Sequence, residues 1–263
     1  MKISISQIRK PSFSIYDLTE YQNKPSDTGM KHAFILGQWA IYGSNPLNQM
    51  PPLDRLLFAD SLIPQNFTGH ININLEHLDV WNNPTNLQYY IDIYNFFKSR
   101  HPNCEMGYYS IVPSLGNYTP FYPKGHLYQQ TWMEKNDKAK LLADIVDLAM
   151  PSLYLWWNNE MDKWKLYAKE TIAEARRCCP GKKVYPFIWP QYHNGSLPAN
   201  IGLQYMDEYT FYYMLDTLYE EADGVAIWKG FASLNEQWSE DMPWVKALRK
   251  FQERYLSNIP FIL

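Results

Sequence analysis

Cysteine is scarce in this chain, and long apolar runs are missing. Only Cys104, Cys178 and Cys179 occur among 263 residues, and adjacent cysteines rarely bridge because the geometry is strained. We therefore expect no disulfide scaffold. No stretch approaches the ~18 apolar residues of a membrane-spanning helix, and the N-terminus lacks the apolar segment of a signal peptide. These absences predict a soluble protein with no membrane partner, cytoplasmic if the chain is complete.

An excess of positive charge is also missing. The chain has 24 Lys and Arg against 27 Asp and Glu, a net charge of -3, so it offers no basic field for nucleic acid. No two of its six histidines stand at metal-ligand spacing, and neither a Gly-rich phosphate loop nor a Gly-x-Ser-x-Gly elbow occurs. We expect no metal, no cofactor and no nucleic-acid partner, and the oligomeric state stays open.

Aromatic residues, in contrast, are abundant. The 10 Trp and 21 Tyr combine a flat apolar face with a polar edge, which suits them to stack on sugar rings as well as to fill a core. With 46% hydrophobic residues the chain can bury a full core. No linker, repeat or low-complexity tract divides it, so residues 1–263 are predicted to form a single domain.

Short apolar segments alternate with segments of helical spacing, the pattern of parallel strands joined by helices. We predict strands at 13–18, 33–42, 70–76, 105–112, 148–156, 183–189 and 223–230, and helices at 54–62, 86–100, 136–148, 162–177, 207–221 and 243–256. The predicted fold class is α/β, a distorted (β/α) TIM-like barrel with seven to eight parallel strands. The C-terminal strand ends of such a barrel meet at one rim, where its active sites lie.

Glu76 ends one of the predicted strands, in the segment Ile71-Asn72-Ile73-Asn74-Leu75-Glu76. A rim carboxyl group walled by aromatic rings is partly desolvated, which raises its pKa toward the range of a general acid. An ion pair with a rim Lys or Arg explains such a residue equally well. Asp79 is expected to cap the following turn, and His193, past another strand end, fits substrate contact or a polar loop.

Several segments, taken in order, resemble the hyaluronidase-type glycoside hydrolases, which include the bee-venom and mammalian enzymes. The similar segments are IPQNFTGHININLEHLDVW (63–81), MGYY (106–109), MEKNDK (133–138), MPSLYLWWN (150–158), KKVYPFIWPQYH (182–193) and ADGVAIWKG (222–230). The resemblance implies a distorted barrel that hydrolyses β-linked N-acetylhexosamine glycans with retention. In that family the substrate's acetamido oxygen is the nucleophile, and the acid is the Glu of an Asp-x-Glu motif.

The resemblance assigns roles to particular residues of this chain. Glu76 falls on the general acid, Asn74 on the motif's Asp, and Tyr154 on a site tyrosine, which makes these three the catalytic candidates. The substrate-binding candidates at the predicted rim are Trp228, Trp157, Trp189, Tyr109, Tyr192 and Lys229.

The chain departs from the family pattern at two positions. Asn74 is a neutral amide where the family has Asp, so it can accept a hydrogen bond from the acetamido N–H but lacks the negative charge that would balance the developing positive charge. The family's tyrosine after the Gly-Tyr-Tyr strand is missing from the segment 110–118. Two alternatives therefore stay open. One is a non-catalytic carbohydrate-binding barrel, and the other is an enzyme that uses Asp79 or Glu160 as a second carboxylate.

Overall fold

The computed structural model describes residues 10, 12–116, 122–157, 160–196, 198–229 and 235–256. The strands are β1 (Ser14–Leu18), β2 (Lys31–Gly37), β3 (His70–Asn74), β4 (Glu105–Tyr108), β5 (Leu148–Ala149), β6 (Lys183–Val184), β7 (Phe187–Ile188) and β8 (Gly224–Trp228). The helices are α1 (Gln38–Tyr42), α2 (Leu53–Ser61), α3 (Pro84–Arg100), α4 (Leu127–Asp137), α5 (Lys140–Ile145), α6 (Met161–Cys178), α7 (Glu208–Glu221) and α8 (Pro243–Tyr255), with a short 3-10 helix at Ala199–Ile201.

The strands curl into a distorted parallel barrel, which confirms the predicted fold class. Six strands pair in the order β4-β3-β2-β1-β8-β7, and β5 pairs with β6. Two parallel bridges close the remaining gaps, one between Tyr109 and Met150 and one between Ser152 and Phe187. Because every named pairing is parallel, the C-terminal ends of the strands meet at one rim.

Prolines account for the short strands on one side of the barrel. The predicted strand at 183–189 is one barrel position split into β6 and β7 around Tyr185 and Pro186, and β5 stops just before Pro151. A proline has no N–H to donate to the ladder. The carbonyl groups of both prolines still accept hydrogen bonds from neighbouring strands. Pro151 accepts from the N–H of Phe187 at 2.8 Å, and Pro186 accepts from the N–H of Ala226 at 2.9 Å.

Several predicted elements were wrong in extent, among them the strands predicted at 105–112 and 148–156, which end at Tyr108 and Ala149. The apolar run 33–42 is not one strand, because β2 ends at Gly37 and the chain turns at once into α1. The predicted helix 136–148 corresponds to α4, which begins earlier at Leu127, and the separate short α5, followed by β5. Continuous apolar runs do not distinguish a strand from a short buried helix. Within the described ranges, the structure contains no helix with the length and apolar character needed to span a bilayer.

The core has two parts. A large cluster lies between the strands and the helices, and a smaller one fills the barrel interior with side chains from alternate strand positions. At the starting ends of the strands, the buried ring of His70 stacks on Tyr16 with centroids 3.6 Å apart, and its Nε2 lies 2.9 Å from Glu105 Oε2. Lys183 reaches the same carboxylate at 2.8 Å. The functional candidates lie at the opposite end.

Candidate active site

Glu76 lies two residues beyond the end of β3, at the rim of the barrel. The side chain is exposed, yet removal from bulk water raises the pKa of its carboxyl group. The two findings agree if the carboxyl group lies in a depression, where solvent reaches it while protein surrounds it on several sides. Among the described residues no Lys or Arg pairs with Glu76. The ion-pair explanation for this residue is therefore not supported.

The aromatic side chains of the neighbouring strand ends form one wall, which we call the aromatic wall: Tyr109, Tyr154, Trp189 and Trp228. Tyr154 is its centre, with ring centroids 5.9 Å from Tyr109 and 5.6 Å from both Trp189 and Trp228. Trp189 and Trp228 are 5.1 Å apart. These four residues come from the ends of β4, β5, β7 and β8, so the fold brings together residues far apart in sequence.

Glu76 lies within electrostatic range of two rings of the aromatic wall. Burial raises the pKa values of Tyr109 and Tyr154, and the negative charge of Glu76 raises both further. Burial and, to a smaller extent, the same charge also raise the pKa of Tyr90 on α3, so Glu76 lies near α3 as well as near the wall. Tyr109 is held in place by donating to Ser152 Oγ at 2.9 Å. The rim thus combines a carboxyl group that burial favours in its protonated form with a cluster of aromatic rings, of which Tyr109, Tyr154 and Trp189 are buried and Trp228 is half-buried.

Asn74 is half-buried at the end of β3, where it pairs in register with Gly37 of β2. Residues two apart on an extended strand point to the same side, so Asn74 and Glu76 are both candidates for the rim space. The other acids considered for the site are engaged elsewhere. Asp79 accepts from the backbone N–H groups of Trp81 and Asn82 at 3.1 Å, which is the predicted capping role, and Glu160 pairs with Lys163 at 2.8 Å.

The other three substrate-binding candidates have different surroundings. Trp157 is buried, as Tyr109, Tyr154 and Trp189 are. Tyr192 packs in the layer between strands and helices, where burial, together with the charge of Asp207, raises its pKa. Lys229 points away from Trp228, as the alternation of a strand requires; its side chain is 2% exposed and pairs with Glu236 at 3.0 Å.

His193, which the sequence left open, joins the rim. Its ring lies 6.2 Å from Tyr154 and 6.0 Å from Trp189, and it stacks on Trp156 at 3.5 Å. Nδ1 accepts the N–H of Gly195 at 3.1 Å. Only a structure shows this contact, because the turn at residues 193–196 folds the ring back onto the wall. The described residues contain no group of three or more side chains suited to hold a metal ion.

Comparisons with known proteins support the resemblance that the sequence segments indicate. No family model matches the chain. A hyaluronidase of Apis mellifera is 33% identical over 102 residues, a match that covers 37% of this chain and 26% of the bee protein's length. A crystal structure of bee venom hyaluronidase has a TM-score of 0.64 at 20% identity, covering 93% of this chain and 98% of that one.

A second bee venom structure, in complex with a hyaluronic acid tetramer, has a TM-score of 0.62 at 19% identity, covering 94% of this chain and 96% of that one. At such identities the structural likeness establishes the fold. Together with the sequence match, these findings confirm that the chain resembles the hyaluronidase-type glycoside hydrolases.

Proposed function

We propose that this protein is a retaining glycoside hydrolase that cleaves β-linked N-acetylhexosamine glycans, with Glu76 as general acid and then general base. The observation that supports it most is Glu76 itself, an exposed carboxyl group with a raised pKa and no cationic partner in the described ranges, beside Tyr154 at the rim. The bound tetramer in the bee venom structure supports an oligosaccharide as the substrate.

The proposed reaction has two steps. The substrate's acetamido oxygen attacks the anomeric carbon while Glu76 donates its proton to the departing glycosidic oxygen. Water then attacks the anomeric carbon, the bond from that carbon to the acetamido oxygen breaks, and Glu76 takes a proton from the attacking water. Because the carbon is inverted twice, its configuration is retained. Asn74 accepts a hydrogen bond from the acetamido N–H during the first step. The aromatic wall, with Tyr154 at its centre, holds the sugar ring against Glu76.

A non-catalytic carbohydrate-binding barrel is the second candidate. Asn74 favours it, because a neutral amide cannot balance the positive charge that forms on the acetamido group. The aromatic wall serves both functions equally well, so binding alone does not separate them.

Release of reducing ends from a panel of hyaluronan, chondroitin and chitin oligosaccharides separates the two candidates. We expect the wild-type protein to release reducing ends from at least one member of the panel, with β-configured products at early times by NMR. Binding by calorimetry without release would support the binding barrel. Products of inverted configuration would contradict the retaining mechanism.

A further inference from the structure

Trp39 is a large aromatic side chain that the structure leaves in solvent. It is 65% exposed, whereas Ala40, Ile41 and Tyr42, which follow it in α1, are buried. Leaving an indole in water forgoes the free energy of burying it. One isolated exposed Trp needs no explanation, but the position and the rigid support of this one point to a ligand.

The position of Trp39 is next to the strand that carries Glu76. Gly37, the last residue of β2, pairs with Asn74 of β3, and neighbouring strands lie about 4.8 Å apart. The indole lies against this glycine, since a Cβ built on Gly37 would come within 3.0 Å of Trp39 Cδ1. Because β2 and β4 flank β3 on opposite sides, Trp39 after β2 and Tyr109 after β4 come from the two neighbours of the strand that leads to Glu76.

The support under Trp39 holds its backbone in place. Arg55 donates from Nη2 to the carbonyl oxygens of Trp39 and Ala40 at 2.8 and 2.7 Å, and Gly43 N–H also donates to the Trp39 carbonyl at 3.0 Å. The ring of Phe58 meets the indole edge-on at 6.3 Å. A surface ordered before the ligand arrives loses less entropy on binding.

We propose that Trp39 is a stacking platform for a sugar unit of the glycan on the β2 side of Glu76. The proposal rests on the proposed function, because that function makes the rim a glycan groove. A chain bound from the aromatic wall to Trp39 passes over Glu76 and contacts the protein on both sides of the acid. A disaccharide that occupies only the aromatic wall does not reach Trp39.

The test uses the Glu76→Gln variant, in which binding is measured without turnover. We compare calorimetric binding of disaccharides and octasaccharides of hyaluronan and of chitin with and without Trp39→Ala. We expect about tenfold weaker octasaccharide binding, the loss of one aromatic stacking contact, with disaccharide binding unchanged. The Trp39→Phe variant is expected to lose less octasaccharide affinity than Trp39→Ala. Leu141→Ala is the control, since Leu141 is 62% exposed on α5, which leads into the opposite end of the barrel.

Octasaccharide binding that is equal with and without Trp39 would overturn the inference. The absence of binding by both the hyaluronan and the chitin oligosaccharides would overturn it as well. The outcome is separable from that of the proposed function. A protein that hydrolyses nothing, but whose binding of octasaccharides depends on Trp39, would refute the enzyme and support the platform.

Discussion

Glu76→Gln is expected to reduce kcat by about 10²–10⁴-fold, the usual contribution of a general acid. Glutamine has nearly the same shape as glutamic acid but cannot give a proton to the departing oxygen or take one from water. The loss should appear in kcat more than in the affinity for substrate, since the aromatic wall is unchanged. Initial rates of reducing-end release on the best substrate of the panel measure the effect.

The Glu76→Gln experiment has a matched control in Glu160→Gln. Glu160 is another carboxylate, partly exposed and paired with Lys163 ahead of α6, and its replacement is expected to leave kcat unchanged. A large loss in Glu160→Gln, or equal rates for the wild type and Glu76→Gln, would contradict the assignment of the acid. Glu76→Gln should also fold normally, because the described residues offer no salt bridge to Glu76 that the change would break.

Asn74→Asp is expected to raise kcat by about 10- to 100-fold. The proposed first step places positive charge on the acetamido group, and a carboxylate at position 74 would stabilise that charge where an amide cannot. At an effective dielectric constant between those of water and of a protein interior, such an interaction is worth on the order of 1–3 kcal/mol, and each 1.36 kcal/mol is tenfold in rate. The same reducing-end assay measures the gain.

Asn74→Asp also has an expected pH signature. A second carboxylate close to Glu76 disfavours the charged form of both, so the pH above which activity falls should move upward. The double variant Asn74→Asp, Glu76→Gln should stay as inactive as Glu76→Gln alone. An Asn74→Asp protein that is no faster than the wild type would argue against participation of the acetamido group.

The strand pattern of the sequence was enough to predict the barrel and to put Glu76 at its rim. Parallel strands that are buried on both faces appear in the sequence as apolar runs. The polar residues that follow each run mark the end of the strand. The predicted ends of the strands were wrong where an apolar run does not distinguish a strand from a helix. The run 33–42 stays apolar after Gly37, although α1 has replaced β2, because a short buried helix and a buried strand look alike in sequence.

The site was predictable only in part. Tyr154, Trp189, Trp228 and Tyr109 were expected at strand ends, and the structure brings them together. Lys229 directly follows Trp228, and because neighbouring residues point to opposite sides its side chain pairs with Glu236. The side of the sheet to which a residue such as Lys229 points depends on where the strand ends, and strand ends are the least certain part of a sequence-based prediction.

The pKa of Glu76 in the free protein is the most direct measure of whether this residue can act as a general acid. NMR with ¹³C-labelled glutamate carboxyl groups follows the titration, and the signal absent from Glu76→Gln identifies the residue. We predict a midpoint above the ordinary value of 4.5, because burial disfavours the carboxylate. A midpoint at or below 4.5 would mean that Glu76 is well solvated or paired with a cation, and that it holds no proton ready for a departing sugar oxygen.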